Sequence, residues 1–452
     1  MARRSRPRRS AETLLQGVGR LAVWALLVVA PFVVVFTANE IFRLPKLLVM
    51  EWLGLASLLA FALAAVLRRE EAEAPAPPWW RRPAVLAVAP VLAAASLGLA
   101  TGGHPEHTRQ ALPDLWIAGA CLAGWSLALD ERRLERLLRW LPLPAALMAL
   151  LGVLQFYGVF QPFRFVGGLQ GYRLGVTSLA GNAGDLAAYL VLPALAAQWG
   201  LLEAFSGARA SVPWRRRLSA ALHAGALVLA LYGLAATQSL TPAAALAAGS
   251  AMFWLAALPP RRAVAAALAA VVLLGGLVLA TPPLRDRLEV VGRALSENRL
   301  NAALTGRLDG WYAALWMLRE HPWTGVGHGA YRAEFAPAKL ELQDRGVEFF
   351  QGHIDPFFAN AHNDLLEAAA EWGLAGVAAL LWGLWLLARS LARAARREGG
   401  GGRGSGAFAL AGTAAALLLA LGQFPFHLAL VAYPYLVLFA WIFRRAEPEA
   451  SP

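Results

Sequence analysis

The sequence contains apolar stretches that are long enough to cross a lipid bilayer. Since a helix needs about 20 predominantly apolar residues to span the hydrocarbon core, we predict about twelve membrane spans. Their approximate positions are 21–38, 47–67, 83–100, 112–129, 138–159, 184–205, 220–238, 241–258, 262–280, 363–388, 406–423 and 427–444. With 58% hydrophobic and 15% charged residues in 452, the chain is too apolar for a water-soluble core. The predicted class is an all-α, polytopic integral membrane protein.

A long polar interval between two groups of predicted spans divides the chain into three regions. Residues 1–280 form an N-terminal bundle of about nine spans. Residues 281–361 form a large loop, or lid, that contains amphipathic helices, and residues 362–452 contain about three further spans.

Arginines are concentrated in alternate connections between the spans. Connections assigned to the cytoplasm hold clusters within 68–82, 132–139, 209–217, 261–262, 389–403 and 444–445, whereas the short outward connections hold only Arg43, Lys46, Arg109, Arg164 and Arg173. Lys and Arg accumulate in cytoplasmic loops, so we expect cytoplasmic termini and an extracytoplasmic 281–361 segment in a cytoplasmic (inner) membrane. The same pattern accounts for the net charge of +12 without a nucleic-acid partner.

His362 lies where the polar segment meets the tenth predicted span. A neutral imidazole accepts a proton from a hydroxyl near neutral pH, so His362 is the candidate general base. Asn363 and Asp364 follow it as candidate helix caps. An ordinary interfacial histidine fits this stretch equally well.

Two carboxylates follow on one face of the same helix, at Glu367 and Glu371. Carboxylates at membrane depth are costly unless they face water or a partner, so we expect them to line a hydrated cavity or to pair with Arg307 or Arg173. Hydrogen bonding between helices is the alternative. The spacing of His328, His353, Asp355 and His362 matches no metal-ligand pattern, and we predict no metal and no cofactor.

An outward loop between the fifth and sixth spans, residues 167–185, is rich in glycine and carries Arg173. The sixth helix is expected to begin near Asn182, with free backbone N–H groups facing outward. Arg173 beside such amides is a candidate ligand for a diphosphate, although a surface loop with an Asn or Asp helix cap is the simpler interpretation of this stretch alone.

The large outward segment begins with Pro282-Pro283 and contains Arg307 at the start of a predicted amphipathic helix. Apolar residues at 308, 311, 312, 315, 316 and 318 predict a helix along the membrane surface that ends before Pro322. A cation in the first turn is disfavoured by the helix dipole, so an anionic partner would explain Arg307. The glycine-rich turn 322–331 that follows could bind phosphate through its amides.

Three motifs together resemble the signature of the O-antigen ligase and polymerase superfamily. They are Gly306-Arg307, then His321-Pro322-Trp323-Thr324-Gly325-Val326-Gly327, and then Ala361-His362-Asn363-Asp364 continuing to Gly373. The resemblance implies a polyprenyl (undecaprenyl) diphosphate-linked glycan as donor, His362 as general base, and Arg173 and Arg307 as ligands of the diphosphate.

The sequence departs from that pattern at three places. Members often have Ser-Arg after the seventh span, where this chain has Ser239-Leu240. The usual Asn-Pro-Asn reads Asn182-Ala183-Gly184, and the aromatic residue after His-Asn-Asp is Leu365. One expected contact to an anion is therefore missing or is supplied from elsewhere.

The expected function is metal-independent, inverting transfer of a glycan to an acceptor hydroxyl, as by an O-antigen ligase. The acceptor is a lipid or another glycan, and polysaccharide polymerisation or transfer to a protein hydroxyl remains open. A transporter or flippase for anionic lipids would also use outward arginines and membrane-depth carboxylates. The oligomeric state is not predicted.

Overall fold

The computed structural model describes residues 6–37, 40–68, 78–161, 175–206, 213–350, 358–397 and 403–447. These residues contain helices and no strand. The first ten helices are α1 (Arg6–Val28), α2 (Arg43–Arg68), α3 (Pro83–Thr101), α4 (Pro105–Ala128), α5 (Glu131–Trp140), α6 (Pro142–Phe156), α7 (Ala183–Ser206), α8 (Pro213–Thr237), α9 (Leu240–Ala257) and α10 (Pro260–Ala280). The 282–344 region contains α11 (Pro282–Ser296), α12 (Leu300–Ala303), α13 (Arg307–Glu320) and α14 (Tyr331–Asp344). The chain continues with α15 (Asp364–Arg397), α16 (Arg403–Gly422) and α17 (Ala429–Arg445).

Ten segments in the described part of the chain are long and apolar enough to cross a membrane. They are α1 to α4, the α5–α6 pair, α7, α8, α9, α15 and α16. The two other expected spans, 262–280 and 427–444, coincide with α10 and α17, which are not among the ten. The prediction of an all-α, polytopic membrane protein is confirmed.

Helix α7 lies at the centre of the bundle, in contact with α5, α6, α8, α9, α16 and α17. Small side chains such as Ala187, Ala194 and Ala197 allow neighbouring helices to approach it closely. Near its C-terminal end the Trp199 ring stacks on Phe408 of α16, with ring centroids 4.9 Å apart. Because α7 is buried on all sides, its two ends hold fixed positions for polar groups.

The two ends of α7 differ in their chemistry. At the C-terminal end, Arg139 of α5 binds Glu203 through charge-assisted hydrogen bonds, and Arg445 lies 3.4 Å from Glu131. These arginines belong to the connections that the sequence assigns to the cytoplasm. At the opposite end, Asp185 lies in the first turn of α7. The side of the membrane that each end faces stays a prediction.

Helix α13 packs against α14 and α15 through small residues, including Gly310, Ala313 and Ala314. Met317 and Trp316 also pack against this contact, whereas Tyr312 and Leu315 are exposed. Only part of the apolar face that the sequence predicts for the membrane interface is therefore exposed, and the helix ends at Glu320 as the position of Pro322 predicts.

A backbone break in α15 connects this helix to the glycine-rich turn. Gly373 has φ +60°, and the amides of Leu374 and Ala375 donate to the carbonyls of Pro322 (2.7 Å) and Trp323 (3.2 Å). A Cβ at Gly373 would lie 2.5 Å from the Trp323 carbonyl carbon, so only glycine fits. The turn is thereby attached to α15 about three helical turns beyond His362.

Candidate active site

The backbone at His362 is held in an unusual conformation at the entrance to α15. Its φ is +54°, in the left-handed region that non-glycine residues seldom adopt. The next residue caps the helix as predicted, because Asn363 Oδ1 accepts the amides of Leu365 and Leu366, both at 3.1 Å. The chain therefore turns sharply at His362 before the helix begins.

Glu367 holds this turn from within the first turns of α15. Its carboxylate accepts the Ala361 amide at 2.7 Å and the Asn360 side-chain amide at 2.9 Å. Glu367 is almost fully buried, so these bonds fix the backbone on both sides of the turn. Glu367 therefore acts on His362 by fixing the position of its backbone.

A histidine that the sequence analysis missed, His427, pairs with two carboxylates at the start of α15. Its Nδ1 lies 2.9 Å from Asp364 Oδ1 and its Nε2 lies 3.2 Å from Glu367 Oε1. Although burial opposes the cation, Glu367 and Asp364 raise the pKa of His427 to about 10. His427 is therefore an imidazolium that links the α16–α17 connection to α15. Asp364 also accepts the Phe426 amide at 3.0 Å, so it binds this connection instead of capping the helix.

The His362 imidazole lies between two aromatic rings, and its Nδ1 is buried without a hydrogen-bond partner among the described residues. The ring centroids of Phe358 and Phe424 lie 5.5 and 4.8 Å from it, both with edge contacts. Burial, together with the positive charges of Arg307 and Arg43, lowers the pKa of His362 to about 4. The imidazole is thus neutral at physiological pH and can accept a proton.

Arg307 reaches the site from the first turn of α13. Its Nη1 donates to Thr241 Oγ1 at 3.1 Å, and Thr241 lies in the first turn of α9, next to Leu240. A Cβ at Gly422 would lie 3.0 Å from the same Thr241 oxygen. The N-terminal ends of α9 and α13 therefore meet the C-terminal end of α16, two residues before Phe424.

A second arginine, Arg43 at the start of α2, also contacts Phe424. Its guanidinium carbon is 5.7 Å from the Phe424 ring centroid, and its Nε and Nη2 donate to the Asp185 carboxylate at 2.7 and 3.0 Å. The sequence analysis counted Arg43 only among the few outward cations. A cation and a carboxylate in two neighbouring outward loops were the available signal, but no spacing relates positions 43 and 185.

Of the three predicted site residues, His362 and Arg307 are close enough for the charge of one to act on the other. Arg173 lies outside the described residues. Asn182 caps α7, because its Oδ1 accepts the Gly184 amide at 2.7 Å, and α7 begins at Ala183 as predicted.

Glu371 has a different role from the one expected. Its carboxylate accepts the Tyr331 amide at 3.2 Å and lies 3.0 Å from His328 Nδ1. The amides of Val326 and Gly327 donate to the carbonyls of Ala370 and Glu371 at 3.0 and 2.9 Å. The expected phosphate cradle in this turn is therefore wrong, because α15 already occupies these amides. Among the described residues both Glu367 and Glu371 pair with histidine instead of arginine, and Arg173 lies outside those residues.

Both glutamates line a cavity of about 680 Å³, which is the first of the two surroundings expected for them. The cavity follows α15 from Asp364 to Leu387, which corresponds to roughly 35 Å at 1.5 Å per residue. Carboxylates, among them Glu51 and Asp114, line the half near the start of α15, and the other half is apolar. The apolar half can hold hydrocarbon, but His362, Arg307 and Arg43 are not among the residues that line this cavity.

The described residues contain one group with the donor atoms of a metal site. The donor atoms of His104, Glu106 and His107 lie within 4.8 Å of one another, although His104 Nε2 already lies 2.8 Å from Glu334 Oε1. Of the four residues considered from the sequence, His353 and Asp355 lie outside the described residues. His328 is paired with Glu371, and His362 lies among aromatic rings.

Comparison with known proteins agrees with the motifs. No curated protein matches the chain. Residues 225–381, about a third of the chain, match the protein family described as O-antigen ligase. The matched segment includes Arg307, the glycine-rich turn, His362 and the break in α15, so this part of the chain is similar to the O-antigen ligase family.

Proposed function

We propose that this protein is a metal-independent glycosyltransferase of the O-antigen ligase type. It transfers a glycan from a polyprenyl (undecaprenyl) diphosphate carrier to an acceptor hydroxyl at the outer face of the cytoplasmic membrane. The observation that carries this proposal is the neutral, buried imidazole of His362 beside the guanidinium of Arg307. The O-antigen ligase match over both residues supports it.

The reaction needs a base and a stabilised leaving group. The acceptor oxygen forms a bond to the anomeric carbon, the bond from that carbon to the diphosphate oxygen breaks, and its electron pair leaves with the diphosphate. Guanidinium groups stabilise this developing charge through forked hydrogen bonds, which is the role of Arg307 and Arg173. Direct displacement inverts the anomeric centre.

His362 takes the proton of the acceptor hydroxyl. An imidazole with a pKa of about 4 is fully available as an acceptor but is a weak base. When the donor binds, its diphosphate offsets the positive charge around the imidazole, and the pKa of His362 rises. The base thus becomes stronger when the donor is in place.

The surroundings of the site suit a lipid-linked substrate. The apolar half of the long cavity beside α15 takes hydrocarbon, while the diphosphate lies outside this cavity, at His362 and Arg307, under the 281–361 segment, which acts as a lid. Glu367 and His427 are positioning residues, because they hold the turn at His362 without a hydrogen bond to its imidazole.

The test is a transfer assay with purified protein and a polyprenyl-diphosphate oligosaccharide. Lipid A core, a second lipid-linked oligosaccharide and a protein substrate are offered separately, and the products are sized on a gel. Product with only one acceptor distinguishes a ligase, a polymerase and a protein transferase. Donor that crosses a vesicle membrane without product would instead identify a flippase.

His362→Ala should lower the transfer rate by about 10²- to 10⁴-fold, the usual contribution of a general base. His223→Ala is the matched control, since His223 lies on α8 at least 14 residues from the end that faces the site. If folded His362→Ala retained transfer within tenfold of the unsubstituted protein, the assignment of the base would be rejected.

A further inference from the structure

The chain lacks an arginine at the start of α9, where the resemblance described above implies one. Leu240, the first residue of α9, occupies that position. Its neighbour Thr241 accepts a hydrogen bond from Arg307 at 3.1 Å. An anion bound near the N-terminus of α9 would therefore meet the guanidinium of Arg307 but no second one from α9.

Arg43 brings a second guanidinium to this region from a different helix. The Asp185 carboxylate fixes two of its nitrogens in a bidentate contact, and Asp185 is itself buried in the first turn of α7. The Arg43 side chain nevertheless remains 46% exposed, compared with 6% for Asp185. One edge of the guanidinium is therefore held by protein while the other remains accessible.

The accessible edge lies near the candidate base. Arg43 and His362 both contact the ring of Phe424. The Arg43 guanidinium carbon lies 5.7 Å from the centroid of that ring, and the His362 imidazole centroid lies 4.8 Å from it. Arg43 Nη1 makes no hydrogen bond within the described residues. The bidentate contact with Asp185 thus fixes the orientation of Arg43 Nη1, an N–H donor that makes no hydrogen bond to the described residues.

We propose that Arg43 is the second guanidinium that binds the diphosphate of the lipid-linked donor, in place of the arginine absent at position 240. Asp185 is the residue that positions it. The inference rests on the proposed function, since it names a further donor-binding residue for the same reaction. A diphosphate between Arg43 and Arg307 would receive charge-assisted hydrogen bonds from two sides, which holds the leaving group in line with His362.

Binding is measured without turnover, with farnesyl diphosphate as the probe and the full chain in detergent micelles. Arg43→Gln should weaken binding about ten- to a hundredfold, the usual effect of one charge-assisted contact. Arg109→Gln removes another outward arginine that is exposed on α4, and it should bind the probe as the unsubstituted protein does.

Asp185→Asn separates a binding role from a structural role. Asp185→Asn keeps an oxygen that can position the guanidinium but removes the neighbouring negative charge, so if Arg43 binds the diphosphate, probe binding strengthens, which is opposite to the effect of Arg43→Gln. If the pair only fixes α2 against α7, both variants lose thermal stability and neither changes affinity selectively. Equal affinities of Arg43→Gln and the unsubstituted protein would overturn the proposal.

Two further variants protect the test against misfolding. Arg43→Gln leaves Asp185 buried without its partner, whereas the double variant Arg43→Gln/Asp185→Asn leaves no unpaired charge and should bind at least tenfold more weakly than Asp185→Asn alone. Leu240→Arg added to Arg43→Gln should restore binding, since it returns a guanidinium to the position used by related sequences. Failure of both expectations in folded protein would refute the role of Arg43.

The outcome is separable from that of the proposed function. If the unsubstituted protein transfers no glycan but Arg43→Gln still weakens probe binding, the transfer reaction fails and the diphosphate site stands. If transfer occurs and Arg43→Gln changes neither probe affinity nor the KM for the donor, the proposed function stands and this inference fails.

Discussion

The pKa of His362 offers the most direct physical test of the site. Burial first, and then the charges of Arg307 and Arg43, lower this pKa from 6.5 to about 4. At about 1.4 kcal/mol per unit, the shift corresponds to ~3 kcal/mol in favour of the neutral ring. Arg307→Gln removes one of the two positive charges, so the pKa of His362 should rise toward 6.5 while the contribution of burial remains.

The measurement does not depend on catalysis. Slow deuterium exchange at the imidazole C2 position, followed peptide by peptide by mass spectrometry, gives a titration midpoint for each histidine. We expect no midpoint for His362 between pH 5 and 8, and one that moves upward in Arg307→Gln. Inorganic pyrophosphate should move it in the same direction, because the anion offsets the arginine charges. His427 serves as an internal comparison, since its pKa of about 10 also places its midpoint outside that range, on the alkaline side.

Two results would refute this reasoning. A midpoint near 6.5 in the unsubstituted protein would mean that His362 is solvated and far from the arginines. An unchanged midpoint in Arg307→Gln would mean that the guanidinium does not act on the imidazole. In the transfer assay activity needs the neutral ring, so kcat/KM should fall on the acid side with a midpoint below pH 6.5. This midpoint should move to higher pH in Arg307→Gln.

Three further predictions concern the residues that support the site. Glu367→Gln should lower kcat at least tenfold with little change in the donor KM, because the turn at His362 loses its anchor; an equal loss in kcat and rise in KM would contradict a positioning role. Gly325→Ala should destabilise the protein strongly, since φ is +67° and a Cβ would lie 2.2 Å from the Glu371 carbonyl carbon. Gly346→Ala, where φ is +85° but the space is open, should cost only about 1–2 kcal/mol of stability. Equal melting temperatures for the two variants would exclude the close contact at Gly325. The pKa of His427 in the folded protein is raised from 6.5 to about 10, so its stabilising charge is fully present below pH 6.5 and is lost as pH rises through about 10. The melting temperatures of His427→Gln and the unsubstituted protein should therefore converge above pH 10. A difference that stays constant with pH would show that the charge is not involved.

Local chemistry was the part of the site that could be read from the sequence. Asn363 and Asn182 were predicted as helix caps, and each accepts the amides that a cap accepts. The start of α13 at Arg307 and its end before Pro322 follow from equally local signals. Such features depend on a few neighbouring residues, so the sequence contains the information directly.

Predictions about partners across helices were less successful. Glu371 was expected to pair with arginine, but it accepts the Tyr331 amide and contacts His328. The cause is the break at Gly373, which lets the glycine-rich turn pack against α15 and places its amides beside this carboxylate. The hydrophobic periodicity of the sequence does not predict that contact.

The sequence by itself determined the all-α membrane class and the approximate positions of the spans, and it singled out His362 and Arg307 as candidate site residues, because apolar length, charge clusters and short motifs are local properties. Only the tertiary structure decided that Arg43, Asp185, Phe424 and His427 accompany them. These four residues come from α2, α7 and the α16–α17 connection, hundreds of positions apart in the chain. Helix packing brings them together, and packing depends on the shapes of many side chains at once, which no single stretch of sequence specifies.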